Sequence, residues 1–166
     1  FEKENKRNIE LMNENLELKK ITRSWFDLAF QYQYSYHFTW LGRPIIQFPQ
    51  DMIALQELIW KVKPDIIIET GIAHGGSIIF SASMLELIGK GKVIGIDIDI
   101  RKHNKDEIQK HSLYKRIEMI EGSSVESKII KKVFSMVQEK KKIMVLLDSN
   151  HTHEHVLKEL KAYSPL

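Results

Sequence analysis

Residues able to do chemistry gather at three places along the 166-residue chain. The first is Glu69-Thr70-Gly71-Ile72-Ala73-His74-Gly75-Gly76-Ser77, a carboxylate followed by a glycine-rich turn. The second is Asp97-Ile98-Asp99, and the third is Asp148-Ser149-Asn150-His151, with His153 and His155 close behind. Gly71, Gly75 and Gly76 permit backbone angles and close approaches that a Cβ blocks. A turn of this kind that opens a helix, with Ser77 near its start, leaves backbone N–H groups free for a ligand. An acidic residue some way downstream of such a turn can accept hydrogen bonds from both hydroxyls of a ribose. Asp97, at a strand tip, is the better placed candidate; the other reading is a helix cap or a solvated charge.

The turn can be read for two ligands. Gly71-x-Ala73-x-x-Gly76 resembles a relaxed dinucleotide fingerprint, which would suit an NAD-dependent oxidoreductase. Glu69-x-Gly71 followed by Gly75-Gly76 resembles the first motif of class I S-adenosylmethionine methyltransferases. Glu69 favours the second, because a carboxylate before the turn repels a pyrophosphate and attracts a sulfonium ligand that carries an ammonium group.

Asp148 follows an apolar run and can offer carboxylate oxygen to a hard cation. His151 and His155 are four apart and could share a helix face, an arrangement that suits Zn²⁺ or Ni²⁺; the other reading is a polar helix start with exposed histidines. His151 is also a candidate general base for an acceptor hydroxyl. His74 is either a pocket-lining residue or a loop histidine facing water.

These residues need elements to position them. Ile66 to Ile68 reads as a strand buried on both faces, started after the helix-stopping Pro64. A helix over about 76–89 follows, closed by Gly89 and Gly91. Lys92–Asp97 is a second strand, 101–113 a helix, Arg116–Glu121 a third strand ending in Gly122-Ser123-Ser124, 125–138 a helix, Ile143–Leu147 a fourth strand, and His153–Tyr163 a last helix. Strands alternating with helices predict an α/β fold: a three-layer, Rossmann-like, doubly wound parallel sheet. With the fourth strand beside the first, Glu69 to Gly76, Asp97, Ser123 and Asp148 share one sheet edge, where such folds bind ligands. An exposed fourth strand would be a liability, so a further strand beyond Leu166, or a partner, is expected to cover it.

Upstream, residues 1–23 suggest a weakly packing surface helix or an arm for assembly. In residues 25–40, Phe30, Tyr32, Tyr34, Tyr36, Phe38 and Trp40 fall on every second position, which favours a strand with one aromatic face. That face covers core or caps a ligand; a helix over 24–33 is also compatible with Trp25, Leu28 and Ala29. Residues 41–50 read as a loop, and Asp51 as the cap of a helix to about Val62. The expected domains are an arm and aromatic cap over 1–40 and a cofactor-binding domain over 41–166.

Composition limits the function classes. Apolar content of 43% and charged content of 28% are ordinary for a globular protein. A net charge of +3 gives no footprint for nucleic acid, and Lys131, Lys132 and Lys140 to Lys142 read as a solvated face. No apolar run is long enough to span a bilayer. Cysteine is absent, which excludes disulfides and thiolate metal sites and fits a reducing cytoplasm.

Over residues of about 40 to 165 the chain resembles the cephalosporin hydroxylase / rhamnosyl O-methyltransferase family. The matching pieces include Trp40-Leu41-Gly42-Arg43-Pro44, Gln47-x-Pro49-x-Asp51, Gln56-Glu57, Lys63-Pro64-Asp65, Ile68-Glu69-Thr70-Gly71, His74-Gly75-Gly76-Ser77, Gly95-Ile96-Asp97-Ile98-Asp99, Gly122-Ser123-Ser124 and Leu147-Asp148-Ser149-x-His151. The resemblance implies S-adenosylmethionine held by Glu69, Gly71, Gly75, Gly76, Ser77 and Asp97, with Ser123 or Ser124 near the adenine. It implies Mg²⁺ with Asp148 as one ligand, the remaining acidic ligands lying on a strand after Leu166. The expected activity is an S-adenosylmethionine-dependent O-methyltransferase acting on a hydroxyl of a saccharide, glycolipid or secondary metabolite, in a cytoplasmic homo-oligomer with Asp148 and His151 as its catalytic residues. A non-catalytic cofactor-binding or scaffold subunit is the alternative.

Overall fold

The computed structural model describes residues 1–137 and 142–166. Lys140 and Lys141 of the expected lysine face and Gln138 of the expected helix lie outside them. The chain divides into two compact units, Phe1–His37 and Phe38–Leu166.

The first unit holds α1 (Glu2–Glu14) and α2 (Leu16–Gln31), separated by Asn15, whose side chain accepts a hydrogen bond from the Leu18 N–H and caps α2. No residue of either helix is buried. The expected aromatic strand over 25–40 is corrected here. Helix α2 runs through Phe30, Gln33 turns into the left-handed region at φ 50°, and Tyr34–Tyr36 forms a 3₁₀ turn. Helical spacing of Trp25, Leu28 and Ala29 outweighs the alternation, and Trp25 packs edge-on to Tyr34 with ring centroids 5.1 Å apart.

The second unit opens with a hairpin, β1 (Phe38–Trp40) and β2 (Arg43–Ile45), where a loop was expected. Leu41 and Gly42, at φ 45° and 87°, are its two central turn residues. Positive φ at both is the geometry that matches the twist of paired strands. A leucine is rare there, which is why the sequence hides the hairpin. The hairpin places β1 in the second unit, which begins at Phe38. Next comes α3 (Pro49–Val62), with Pro49 in the first turn and Phe48 in the cap position. Asp51 is therefore a first-turn acid that complements the helix dipole, not the cap.

The βα alternation then follows: β3 (Ile66–Thr70), α4 (Gly76–Ile88), β4 (Lys92–Asp97), α5 (Lys102–Lys110), β5 (Ile117–Glu121), α6 (Ser127–Val137), β6 (Ile143–Leu147) and α7 (His153–Tyr163). A 3₁₀ turn over Ser112–Arg116 replaces the last part of the helix expected to reach residue 113. The sheet order is β5-β4-β3-β6, all parallel, so the fourth strand of the sheet lies beside its first, as expected.

Alternation along the strands makes two cores. Ile67, Val93 and Ile117 face one layer with Ile59, Ile78, Phe80 and Ile108. Ile66, Ile68, Ile94, Ile96 and Ile120 face the other with Ile129, Val133 and Tyr163. Each fully buried isoleucine contributes about 1.5–3 kcal/mol. That burial makes the sheet a rigid base for the loops at its C-terminal edge. Lys131, Lys132 and Lys142 are exposed, as expected of a solvated face. Among the described residues no helix is long and apolar enough to cross a membrane.

Candidate functional site

Hydrogen bonds tie the strand tips together. The Gly71 N–H donates to the Ile96 carbonyl at 2.7 Å, Gly122 N–H to Asp97 O at 2.8 Å, and Asp148 N–H to Thr70 O at 3.0 Å. Glu69, Asp97 and Asp148 thus stand at the C-terminal edge of three neighbouring strands, the arrangement expected from sequence.

Asp97 organises this edge. Its Oδ2 accepts from the Ile72 and Ala73 N–H groups at 2.7 and 3.1 Å, and its Oδ1 from the Asp99 N–H at 3.1 Å. One carboxylate therefore holds the glycine turn to the tip of β4. Two backbone N–H groups that could have served a ligand are used internally. A carboxylate offers about four lone pairs, so acceptor capacity remains on Asp97. A cavity of about 200 Å³ opens beside it, lined among others by Gly71, Asp97, Ser123, Ser124, Asn150 and His155. A second cavity of about 430 Å³, on the other side of the turn, is lined by His74, Asp97, Asp99, Arg101 and Asn104. Asp97 and Ile98 border both.

Glu69 sits differently from a pocket carboxylate. The pleat turns it, like Ile67, toward α4, where it is 2% exposed. The Ser77 hydroxyl donates to its Oε1 and the Ser81 hydroxyl to its Oε2, the latter at 3.3 Å. Burial pushes its carboxyl from 4.5 up to about 7; the serine hydroxyls oppose this shift and the charge of Asp148 adds to it. Glu69 lines neither of the two cavities. Gly75, Gly76 and Ser77 also stand outside these cavities and shape the turn. Gly75 takes φ 87° at the helix cap, and a Cβ on Gly76 would overlap the Pro44 carbonyl oxygen of β2.

The turn is clamped from outside by residues that sequence reading gave no role. Arg43 Nε and Nη2 donate to the His74 carbonyl at 3.1 and 2.6 Å, and Nη2 also reaches Asn104 Oδ1 at 3.0 Å. Asn104, 3% exposed, donates in turn to the Ala73 carbonyl at 3.0 Å. The clamp holds Ala73 at φ 46°, a conformation that costs a residue bearing a Cβ about 1–2 kcal/mol. Asn104→Ala leaves buried partners unpaired, and the expected loss is about 1–3 kcal/mol of stability. Urea denaturation checks it; an unchanged midpoint would remove the clamp from this account.

Asp148 is exposed just past β6. Its Oδ2 accepts from Gln47 Nε2 at 3.1 Å, and His151 Nε2 lies 3.5 Å from Oδ1. Desolvation raises its pKa, and His151 opposes that. His151 precedes α7 and is 79% exposed in its side chain, so it does not share a helix face with His155. The Zn²⁺ or Ni²⁺ reading of that pair is thereby corrected. Among the described residues no group of three or more His, Asp or Glu side chains is placed to hold a metal. Among the described residues the site offers the carboxylate of Asp148, whose oxygens suit a hard cation completing its shell with water or substrate oxygen.

His155 instead turns inward. Its Nε2 lies 3.2 Å from both Ser124 Oγ and Ser149 Oγ and 3.4 Å from Glu159 Oε1. The spacing of His155 and Glu159, four apart on one helix, was the available signal for this pair.

The Rhamnosyl O-methyltransferase/CmcI family model matches residues 32–166. The chain belongs to the rhamnosyl O-methyltransferase/CmcI family. The match covers the whole βα alternation and all the loops just described. Among this family's proteins, the Rhamnosyl O-methyltransferase of Mycobacterium leprae (strain TN) is 32% identical over 130 residues, covering 77% of this chain and 55% of that protein. The chain spans about half the length of the curated relatives it matches. A solved CmcI structure described as Mg-SAM superposes with a TM-score of 0.57 at 18% identity, covering 77% of this chain and 53% of that one. A CmcI structure with SAH gives 0.53 at 19% identity, covering 76% and 60%. These likenesses establish the Rossmann-like class I methyltransferase fold.

Proposed function

We propose that the protein catalyses S-adenosylmethionine-dependent methyl transfer to a hydroxyl oxygen, with a saccharide or glycolipid as acceptor. The observation that carries the reading is Asp97 at the tip of β4, bordering a cavity whose other walls include Gly71 and the loops after β5 and β6. A carboxylate there suits a ribose diol, since it accepts two hydrogen bonds in one plane. In this reading Gly71, Asp97, Ser123 and Ser124 contact the donor directly. Glu69, Gly75, Gly76 and Ser77 hold the shape of the turn beneath it, and His74 borders its outer side.

Family membership supports the methyl-transfer chemistry, and the name of the M. leprae relative supports a rhamnosyl-type acceptor. Asp148 is the residue that would hold Mg²⁺, and a bound Mg²⁺ would supply Lewis acidity that favours the acceptor alkoxide. His151, beside Asp148 and open to solvent, is placed to take the acceptor proton. The rest of the rate enhancement comes from holding oxygen, methyl carbon and sulfur in line. Lack of cysteine fits a reducing compartment, and the cytoplasm is our assignment. Apolar side chains exposed on α1 and α2, such as Ile9, Leu16 and Leu28, support self-association.

The test is transfer of labelled methyl from S-adenosylmethionine to a rhamnosyl acceptor by the intact protein. Asp148→Ala should keep donor binding and lose transfer by about 100-fold or more. Donor binding without transfer to any of a broad set of hydroxylated acceptors would instead favour a non-catalytic subunit.

A further inference from the structure

Two loops that wall the 200 Å³ cavity, the one after β5 and the one after β6, are joined by a single buried carboxylate. Glu159 is 0% exposed, and its Oε1 accepts hydroxyl protons from Ser124 at 2.5 Å and from Ser149 at 2.7 Å. Its Oε2 is buried with no hydrogen-bond partner among the described residues. Tyr163 adds a third tie from the same helix, donating its hydroxyl to the Ser124 carbonyl at 2.7 Å. Four residues before Glu159, the half-buried His155 lines the cavity itself.

The direction of these bonds fixes the imidazole. Both serine protons are directed at Glu159, so both serine oxygens are left as acceptors toward His155 Nε2. Nε2 must then carry a proton, and the neutral ring has its lone pair on Nδ1. Nδ1 has no hydrogen-bond partner among the described residues, and it is the ring's one remaining polar atom. A side chain whose tautomer is set by three neighbours, and which borders a cavity, is built to read a donor group on a ligand. With the ribose taken to Asp97, as proposed above, the lining that remains for the base is Ser123, Ser124, Ser149 and Asn150. The exocyclic amino group of adenine is the N–H donor on that base.

We propose that His155 is the specificity residue for the purine, accepting a hydrogen bond from the adenine 6-amino group at Nδ1, and that Glu159 is the positioning residue that keeps Nε2 protonated. This rests on the reading of the cavity as an S-adenosylmethionine site. The experiment compares equilibrium binding of S-adenosylhomocysteine and S-inosylhomocysteine, in which a 6-oxo group replaces the amine, to the intact protein and to His155→Phe. The wild-type protein should prefer the adenine compound by about tenfold or more, the value of one such hydrogen bond. In His155→Phe the two should bind within about threefold of each other. A general loosening of the loops would weaken both ligands alike and leave the ratio unchanged. Equal binding of both by the wild-type protein overturns the inference, and so does a preference that survives in His155→Phe. Should the phenylalanine variant not fold, His155→Leu is held to the same ratio. If neither compound binds the wild-type protein, the cofactor reading fails first.

Discussion

Gly71→Ala should abolish donor binding and cost about 2–5 kcal/mol of stability, summing left-handed strain and backbone overlap. Gly71 stands at φ 91°, where a side chain is strained whatever space surrounds it. Space is also lacking. A Cβ there would overlap the Asp148 carbonyl oxygen and come within 2.8 Å of the carbonyl carbon and 3.1 Å of Ser149 Cα. These are backbone atoms of the loop after β6, so no rotamer change relieves the contact. Either the β3 turn or the Asp148 loop must move, and both border the cavity. Urea denaturation and titration with S-adenosylhomocysteine check the two halves of this expectation. A variant as stable as the wild type would mean that the two loops are not in this register.

Glu69 makes stability fall as pH rises through neutrality. Its folded pKa of about 7 stands above the ordinary 4.5, so the folded state binds the proton more tightly than the unfolded state does. The stabilisation is fully present below pH 4.5 and is lost as pH rises through 7. Glu69→Gln removes the titration while keeping the size of the side chain and a partner for Ser77. Between pH 5 and 8 the wild-type protein should lose about 2–3 kcal/mol relative to Glu69→Gln. Denaturant midpoints of the two proteins at both pH values measure the difference. A constant gap would show that Glu69 stays ionised, with burial outweighed by its serine partners.

Much of this architecture can be read from the chain because its signals are local and agree with one another. Lys92–Asp97, Ile143–Leu147 and His153–Tyr163 have the bounds expected from apolar runs and their glycine and proline neighbours. Convergence of Glu69, Asp97 and Asp148 on one edge follows once the strands are parallel and the fourth lies beside the first. The rest was not legible for physical reasons. The Leu41-Gly42 hairpin was hidden because a leucine occupies a position that asparagine or glycine usually fills. The aromatic alternation of residues 30–40 predicted a strand, yet a helix already propagating from a capped start ran through Gln31. The orientation of Glu69 depends on the pleat: residue parity along β3 sends it toward Ser77 and Ser81 rather than into the cavity. The Arg43–Asn104 clamp joins residues far apart in sequence, a contact that periodicity does not encode, and the four-residue spacing of His155 and Glu159 does not say which loops the pair holds.

The most direct test is calorimetric titration of S-adenosylhomocysteine into the intact protein and into Asp97→Asn. The amide keeps one acceptor oxygen for the Ile72 and Ala73 N–H groups but loses the second oxygen and the charge that suit a ribose diol. Saturable binding to the wild-type protein, weakened about tenfold or more in Asp97→Asn, is the predicted result. Absence of binding to the wild-type protein, or equal affinity in the two, would contradict it.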